Sequence, residues 1–397
     1  MRHVNLAQPS TASSETARHI NRHIVLNIIR HRQPISRADV SRHSGLQRST
    51  VSLITEELIG DGWVIESLSG DRPRGRKPVS LTLNRRRLVI CVDIRPSEIT
   101  FGVGDVNGAF TLHEVIPTPR EPALALRQIL ERAQKLITDS DAVFEGIGIS
   151  VPGRIDLKTH QLVFAPNLKW PITDLKGPLE RKLGLAVELE NAANACALSE
   201  LWFGPPGPVR DLVAITISEG IGTGIIAHGQ LITGRRGLAG EFGHVPLVAD
   251  GPPCSCGNRG CWEVLASNRA ALRYYFESGS KANQSDEAKF TFRELLALAE
   301  QGDVLANRAL GRMAVQIGRG TRMIVAGLAP ETITFIGEFT AAWNRYRPVI
   351  EAEVQAQSIA PEATVLRAAE DGATARMRGT MALVFQKHFG ATASVLQ

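Results

Sequence analysis

The sequence predicts a mixed α/β protein in two parts, a basic helical head followed by a strand-and-helix body of two similar lobes. Three observations carry that expectation. Charge is uneven: residues 1–87 hold 15 Lys and Arg against 7 Asp and Glu, while the remaining 310 hold 30 against 33. Helical spacing in the head gives way, from Leu88, to short apolar runs bounded by turn residues. A succession of three strands, then helix and strand, begins near Arg87 and again near Asp211, as two related lobes with a cleft between them would require. A chain of 397 residues is also too long for one ordinary core.

Composition narrows the class. With 43% hydrophobic and 21% charged residues the chain reads as soluble and globular. No run of about 18 apolar residues exists to span a membrane. Met1–Ser10 lacks the apolar core of a signal peptide, so a cytoplasmic location is expected. A basic head on a near-neutral body predicts a polyanionic partner, nucleic acid first. A merely solvated basic face is the competing reading.

Residues 1–14 are expected to be a disordered polar tail, and residues 15–84 a DNA-binding domain. Ile20, Ile24 and Ile28, with Val25 and Ile29, recur at helical spacing until Pro34 ends the helix. Ser36 is a good N-cap for a short second helix, and Gly45 turns the chain. A third helix follows, with Val51, Ile54, Leu58 and Ile59 as its buried stripe. Gln47, Arg48, Ser49, Ser52 and Thr55 would face outward; Thr50 joins the first four as a candidate DNA contact. Two helices joined by a short glycine-containing turn form a helix-turn-helix, whose second helix offers its N-terminal side chains to base edges in the major groove. Trp63–Glu66 and Val79–Leu83 alternate as strands of a wing. Its tip, Asp71-Arg72-Pro-Arg74-Gly-Arg76-Lys77-Pro78, suits phosphate or minor-groove contact, with Arg74, Arg76 and Lys77 as the candidates. A helical protein-docking module is the competing reading.

The body begins with three strand candidates, 87–93, 99–104 and 110–116. A helix at 121–137 and a strand at 144–151 follow. The second set comprises 212–217, 221–227 and 230–232, then helices, then a strand at 332–336. The expected lobes are 88–203, completed by a C-terminal helix at 374–390, and 204–373.

The most specific chemistry lies in the second lobe. Three of five cysteines, Cys254, Cys256 and Cys261, fall within eight residues, and His244 precedes them by ten. Three thiolates and an imidazole satisfy tetrahedral zinc and leave no position for a reactive water, so Zn2+ is expected as a structural ion. Gly257 and Gly260 allow the turns that bring Cys256 and Cys261 to one ion. A disulfide with a spare thiol is the competing reading. Cys91 and Cys196 sit in apolar runs and read as core.

The same stretch resembles the signature of the ROK family (repressors, open reading frames and sugar kinases). Its pattern, Glu-x-Gly-His and then Cys-x-Cys-Gly-x-x-Gly-Cys-x-Glu, is matched at Glu241, Gly243, His244, Cys254, Cys256, Gly257, Gly260, Cys261 and Glu263. The similarity extends over roughly residues 15–395 and is to the repressor type, resembling xylose and N-acetylglucosamine repressors. It implies an actin/hexokinase-like body behind the winged helix-turn-helix. It also implies sugar-hydroxyl contacts at Asn167, Asn191, Glu241, His244 and Glu263. His244 would use one ring nitrogen on zinc and the other on a hydroxyl. Read alone, Asn167 and Asn191 fit turn or helix-cap roles better.

Against the family's kinases, the chain departs in several places. Their Asp-Ile-Gly-Gly-Thr phosphate loop stands here as Asp93-Ile94-Arg95-Pro96-Ser97, where Arg95 and Pro96 crowd the approach of phosphate and Pro96 removes a donor. Glu219 sits in the second phosphate loop, and Gly337-Glu338-Phe339 replaces a glycine triplet. Glu190-Asn191-Ala192-Ala193-Asn194 has alanine where the kinases carry their general base, a loss that typically costs roughly 10²–10⁴ in rate. The expected function is therefore a sugar-responsive DNA-binding regulator, repressor in type, without kinase activity. It would act as a homodimer or homotetramer on a double-stranded operator. A sugar kinase with a DNA-binding extension, and a repressor controlled by a protein partner, are the alternatives.

Overall fold

A computed structural model describes residues 14–68, 79–165, 167–205, 209–279, 290–356, 364–372 and 374–389. The chain forms two compact units. One comprises residues up to Arg87 with Asp105–Asn107 and the C-terminal residues from Phe385; the other comprises Leu88–Gly104 and Gly108–Val384.

The first unit is three helices and a hairpin: α1 (Ser14–Arg32), α2 (Arg37–Ser44), α3 (Arg48–Gly60), β1 (Val64–Leu68) and β2 (Val79–Leu83). Ser36 caps α2 by accepting from the Asp39 amide, and Gly45 ends it in the left-handed region at φ 70°. The strands pair antiparallel from Val64 opposite Leu83 to Leu68 opposite Val79. Val25, Leu26, Ile28 and Ile29 of α1 are buried with Val40, Val51, Ile54 and Leu58. Trp63 closes this core against Phe385, His388 and Phe389, at ring distances of 6.2, 4.6 and 5.8 Å.

Two expectations for this unit fail. Thr55, expected to face outward, is fully buried, because it lies four residues after Val51 and so falls on the same helical stripe. Ile59, expected on the buried stripe of α3, is only half-buried, because the residue after Leu58 turns to the edge of that stripe. The expected wing tip, with Arg72, Arg74, Arg76 and Lys77, lies outside the described residues.

The second unit opens with β3 (Arg87–Ile94, entered from Leu88), β4 (Glu98–Asp105), β5 (Phe110–Pro117), α4 (Pro122–Thr138), β6 (Val143–Val151), β7 (Arg154–Ile155), β8 (Leu162–Phe164), α5 (Lys176–Leu183), β9 (Val187–Asn191) and α6 (Ala192–Phe203). It continues with β10 (Leu212–Ile217), β11 (Ile221–Ala227), β12 (Gln230–Leu231), α7 (Trp262–Ala266), α8 (Asn268–Glu277), α9 (Phe292–Glu300), α10 (Val304–Leu328), β13 (Thr332–Ile336), α11 (Trp343–Gln355), β14 (Val365–Ala368) and α12 (Ala375–Phe389). Two five-stranded sheets share one plan, in the orders β5-β4-β3-β6-β9 and β12-β11-β10-β13-β14. In each, a three-strand meander is extended by two strands reached through helices, and the last pair is parallel. The doubling read from the sequence is thus present as two sheets of equivalent order.

Each sheet has its own apolar cluster. Ile90, Val92, Phe101, Ile129, Ile147 and Ile149 belong to the first; Ile215, Trp262, Met313, Ile317, Phe335 and Phe339 belong to the second. Their parallel inner strands carry continuous buried runs, as strands covered on both faces do. Helix α6 is joined to the second sheet by a half-buried ion pair: Arg367 donates to Glu200 at 3.0 Å, and the Thr334 hydroxyl donates to the same carboxylate at 3.2 Å. Burial raises the Glu200 carboxyl above its ordinary range, and Arg367 opposes that shift. Among the described residues, no helix is long and apolar enough to cross a membrane.

Candidate functional site

The metal-ligand candidates are brought together. The Glu241–His244 segment forms a single 3₁₀ turn after Gly240, and the chain then loops through Cys254 to Cys261, which caps α7. The loop closes on itself through Cys254 N to Asn258 O at 2.8 Å and Gly260 N to Pro252 O at 2.8 Å. Gly260 sits at φ 65° against the Val248 carbonyl, where a side chain would collide. Trp262 follows, fully buried, and its indole N–H donates to the Gln316 carbonyl of α10 at 2.9 Å. The loop is therefore held to the lobe by the residue after its last cysteine.

His244 Nδ1 and the sulfurs of Cys254, Cys256 and Cys261 all lie within 4.8 Å of one another, a set that can hold a metal ion. The His244 Nδ1 to Cys254 Sγ distance is 3.6 Å, and Cys256 to Cys261 is 3.7 Å between sulfurs, with all three cysteines as free thiols. Burial, and then the adjoining thiols, push Cys261 up to about 12, so three thiolates this close need a cation to coexist. His244 Nε2 points the other way, 3.8 Å from Glu241 Oε2. Cys91 and Cys196 are both fully buried, and burial pushes each up to about 12; they are core, as expected.

The cleft beside this loop has a volume of about 1210 Å³ and is lined from both sheets. Asn167, Asn191, Glu241, His244 and Glu263 all line it, together with Ala192. Asn191 does act as a cap: it is the N-cap of α6, accepting from Ala193 N at 2.8 Å, and its amide donates to the Gly153 carbonyl at 2.6 Å. Glu263 Oε2 accepts from Ile221 N at 3.1 Å, which leaves its other oxygen for a ligand.

Arg95, Pro96, Glu219 and Glu338 also line the cleft. Arg95 is turned back onto the fully buried Asp93, donating to its Oδ2 at 2.7 Å, and Arg376 stands 3.8 Å from the same oxygen. Three further cleft residues, Arg154, Asn268 and Arg376, carried no motif that singled them out. Asn268 directly follows Ser267, the N-cap of α8, and a polar pair at a helix start reads as capping.

In the first unit, Gln47, Arg48 and Ser49 are exposed at the start of α3, with Thr50 and Ser52 half-buried. Arg74, Arg76 and Lys77 are outside the described residues.

The ROK family sequence model matches residues 89–387. The chain belongs to the ROK family. Among its relatives, the xylose repressor of Bacillus subtilis is 32% identical over 347 residues, covering 85% of this chain and 88% of the repressor. Among solved ROK structures, a transcriptional regulator homologous to the E. coli MLC protein has a TM-score of 0.80 at 25% identity, covering 94% of this chain and 97% of that one. A ROK glucokinase from Streptomyces griseus, in complex with glucose and AMPPNP, has a TM-score of 0.64 at 29% identity, covering 74% and 97%. The similarity to ROK regulators and hexokinases supports the expected actin/hexokinase-like body.

Proposed function

We propose that this chain is a DNA-binding transcriptional regulator, repressor in type, whose affinity for DNA is set by a sugar or sugar derivative in the cleft, and that it does not phosphorylate that sugar. The observation that carries the proposal is the company Ala192 keeps. Asn167, Asn191, Glu241, His244 and Glu263, acceptors and donors suited to convergent hydroxyls, line the same cleft as a residue that cannot take a proton. The similarity to the xylose repressor and to the MLC homologue favours the same reading.

The cluster fits structural zinc. A tetrahedral ion with metal–sulfur bonds of about 2.3 Å separates its sulfurs by about 3.8 Å, close to the 3.7 Å between Cys256 and Cys261. Four protein ligands leave no coordination site open, so the ion supplies order rather than a nucleophile. Bound there, it would fix His244 through Nδ1 and leave Nε2 beside Glu241.

The exposed start of α3, with Gln47, Arg48 and Ser49, reads base edges. The wing residues Arg74, Arg76 and Lys77 take phosphate contacts. A symmetric dimer or tetramer places such helices on paired half-sites. Response to the sugar requires that it bind two arrangements of the lobes with different affinity.

A thermal-shift screen against monosaccharides identifies the effector, because a ligand of the native state raises stability with its concentration. Operator selection followed by titration of that sugar then tests the function. Wild type should change its operator affinity with sugar, and Glu241→Ala should bind the operator equally well and no longer respond. A Glu241→Ala variant responding at the wild-type midpoint places the effector elsewhere. Turnover in an ATP-coupled assay would overturn the non-enzymatic reading.

A further inference from the structure

The cleft is larger than one sugar ring requires. Its volume of about 1210 Å³ exceeds the roughly 300–1,000 Å³ of an ordinary small-molecule site. Glu263 meets the turn that joins β10 to β11 at Gly220 and Ile221: its Oε2 accepts from Ile221 N at 3.1 Å, and a Cβ on Gly220 would lie 2.4 Å from that oxygen. The other end of this turn is held by Asn268, whose backbone N–H donates to the Ser218 carbonyl at 2.8 Å. A ligand reaching Glu263 therefore has a second polar group for a neighbour, across four residues of backbone.

That group is built from Asn268, Glu338 and Arg293. The Asn268 amide donates to Glu338 Oε2 at 3.3 Å, and Arg293 donates to Glu338 Oε1. Asn268 is only 5% exposed and lines the cleft, yet its Oδ1 has no partner. The Glu338 carboxylate takes the amide N–H, so Oδ1 is the end left over, and a buried acceptor without a donor is costly. Glu219 is exposed at the tip of the turn and lines the same space.

A phosphate or other anion does not answer this need. It has at most a proton or two to offer, where Oδ1 and two carboxylates all need donors, and its charge meets the carboxylates of Glu219 and Glu338. A hydroxyl-bearing ring does: its O–H groups donate to Oδ1 and to the carboxylates, and its oxygens accept from Arg293. We propose that Asn268, Arg293, Glu338 and Glu219 form a second sugar subsite, and that the effector is a disaccharide or larger glycoside whose first ring lies at Glu241 and Glu263. This rests on the sugar response proposed above.

The test is calorimetric titration of the full-length protein with matched pairs: xylose and xylobiose, glucose with cellobiose and maltose, N-acetylglucosamine and chitobiose. One disaccharide should bind about ten-fold or more tighter than its own monosaccharide. Asn268→Ala should remove most of that gain and leave monosaccharide affinity unchanged. Glu219→Ala, at an exposed position that cannot disturb the core, should also reduce it. The subsite is overturned if no disaccharide exceeds its monosaccharide, if the gain survives both substitutions, or if glucose 6-phosphate shows the larger gain. Monosaccharide binding without a disaccharide gain overturns the subsite alone; no binding by any of these sugars overturns the sugar response as well.

Discussion

Glu190, the penultimate residue of β9, has its carboxylate folded onto the start of α6, where Oε1 accepts from Asn191 N at 2.7 Å and from the Asn194 amide at 2.9 Å. Burial raises its pKa above the ordinary 4.5, against the effect of those two donors. A carboxyl whose folded pKa is raised holds a proton that the unfolded chain has released. Its contribution to stability is therefore complete below 4.5 and is lost as pH rises through the folded value. Glu190→Gln keeps the acceptor oxygen and removes the titration. Its melting temperature should vary less with pH, from 4.5 upward, than that of wild type; parallel curves for the two proteins would exclude Glu190 as a source of the slope. A second residue-scale prediction concerns Cys256, an exposed member of the metal cluster. Purified protein should carry about one zinc per chain, and Cys256→Ser should lose it, since three ligands no longer close the shell. The variant should also bind sugar more weakly, because His244 and Glu241 lose their anchor. Elemental analysis showing full occupancy in Cys256→Ser would count against the assignment.

At the scale of elements, Trp262 is the peg on which the metal loop hangs. It is fully buried among Ile215, Met313 and Ile317, so Trp262→Ala should cost roughly 3–5 kcal/mol. It should also lower zinc occupancy, whereas an equally destabilising core change in the other sheet, such as Phe101→Ala, should leave the metal in place. Strands and caps were legible in the sequence because their signals are local: alternation at 79–83, continuous apolar runs at 212–217 and 332–336, a serine at 36 before a helix. What was illegible depends on residues distant in the chain. Asn27 is buried in α1 because its amide donates to the Phe389 carbonyl at 2.7 Å, a partner no helical pattern reveals. Arg376 reaches the cleft as a partner of Asp93, and no motif of its own marked it. Thr55 was misplaced for a different reason: its hydroxyl suggested solvent, but its position on the α3 stripe decided. The five sugar candidates were legible only as a set, since Asn191 also has an ordinary capping bond.

The charge asymmetry and the altered cleft are properties of the whole chain, and each makes a prediction. If the net +8 of residues 1–87 meets DNA, affinity should fall steeply with salt, and Arg74→Ala with Arg76→Ala should flatten that slope by about one contact each. Arg48→Ala should instead cost roughly 1–3 kcal/mol at one base pair. An unchanged salt slope after the double substitution would exclude the wing from the phosphate contacts. The cleft gives the stricter test of whether the proposed lack of kinase activity rests on one residue or on the whole cleft. Ala192→Asp restores a carboxylate at one position, an effect worth roughly 10²–10⁴ in rate where the remaining machinery is intact. Here it is not: Pro96 removes an amide donor, Arg95 is committed to Asp93 at 2.7 Å, Glu219 adds negative charge to the stretch that resembles the second phosphate loop, and Glu338 interrupts the glycine triplet. Ala192→Asp alone should therefore show no ATP-dependent phosphorylation of the effector sugar, while still binding that sugar. Measurable turnover in this single variant would mean that the nucleotide half of the cleft is competent and that its altered residues are tolerated, returning the chain to the kinase side of its family.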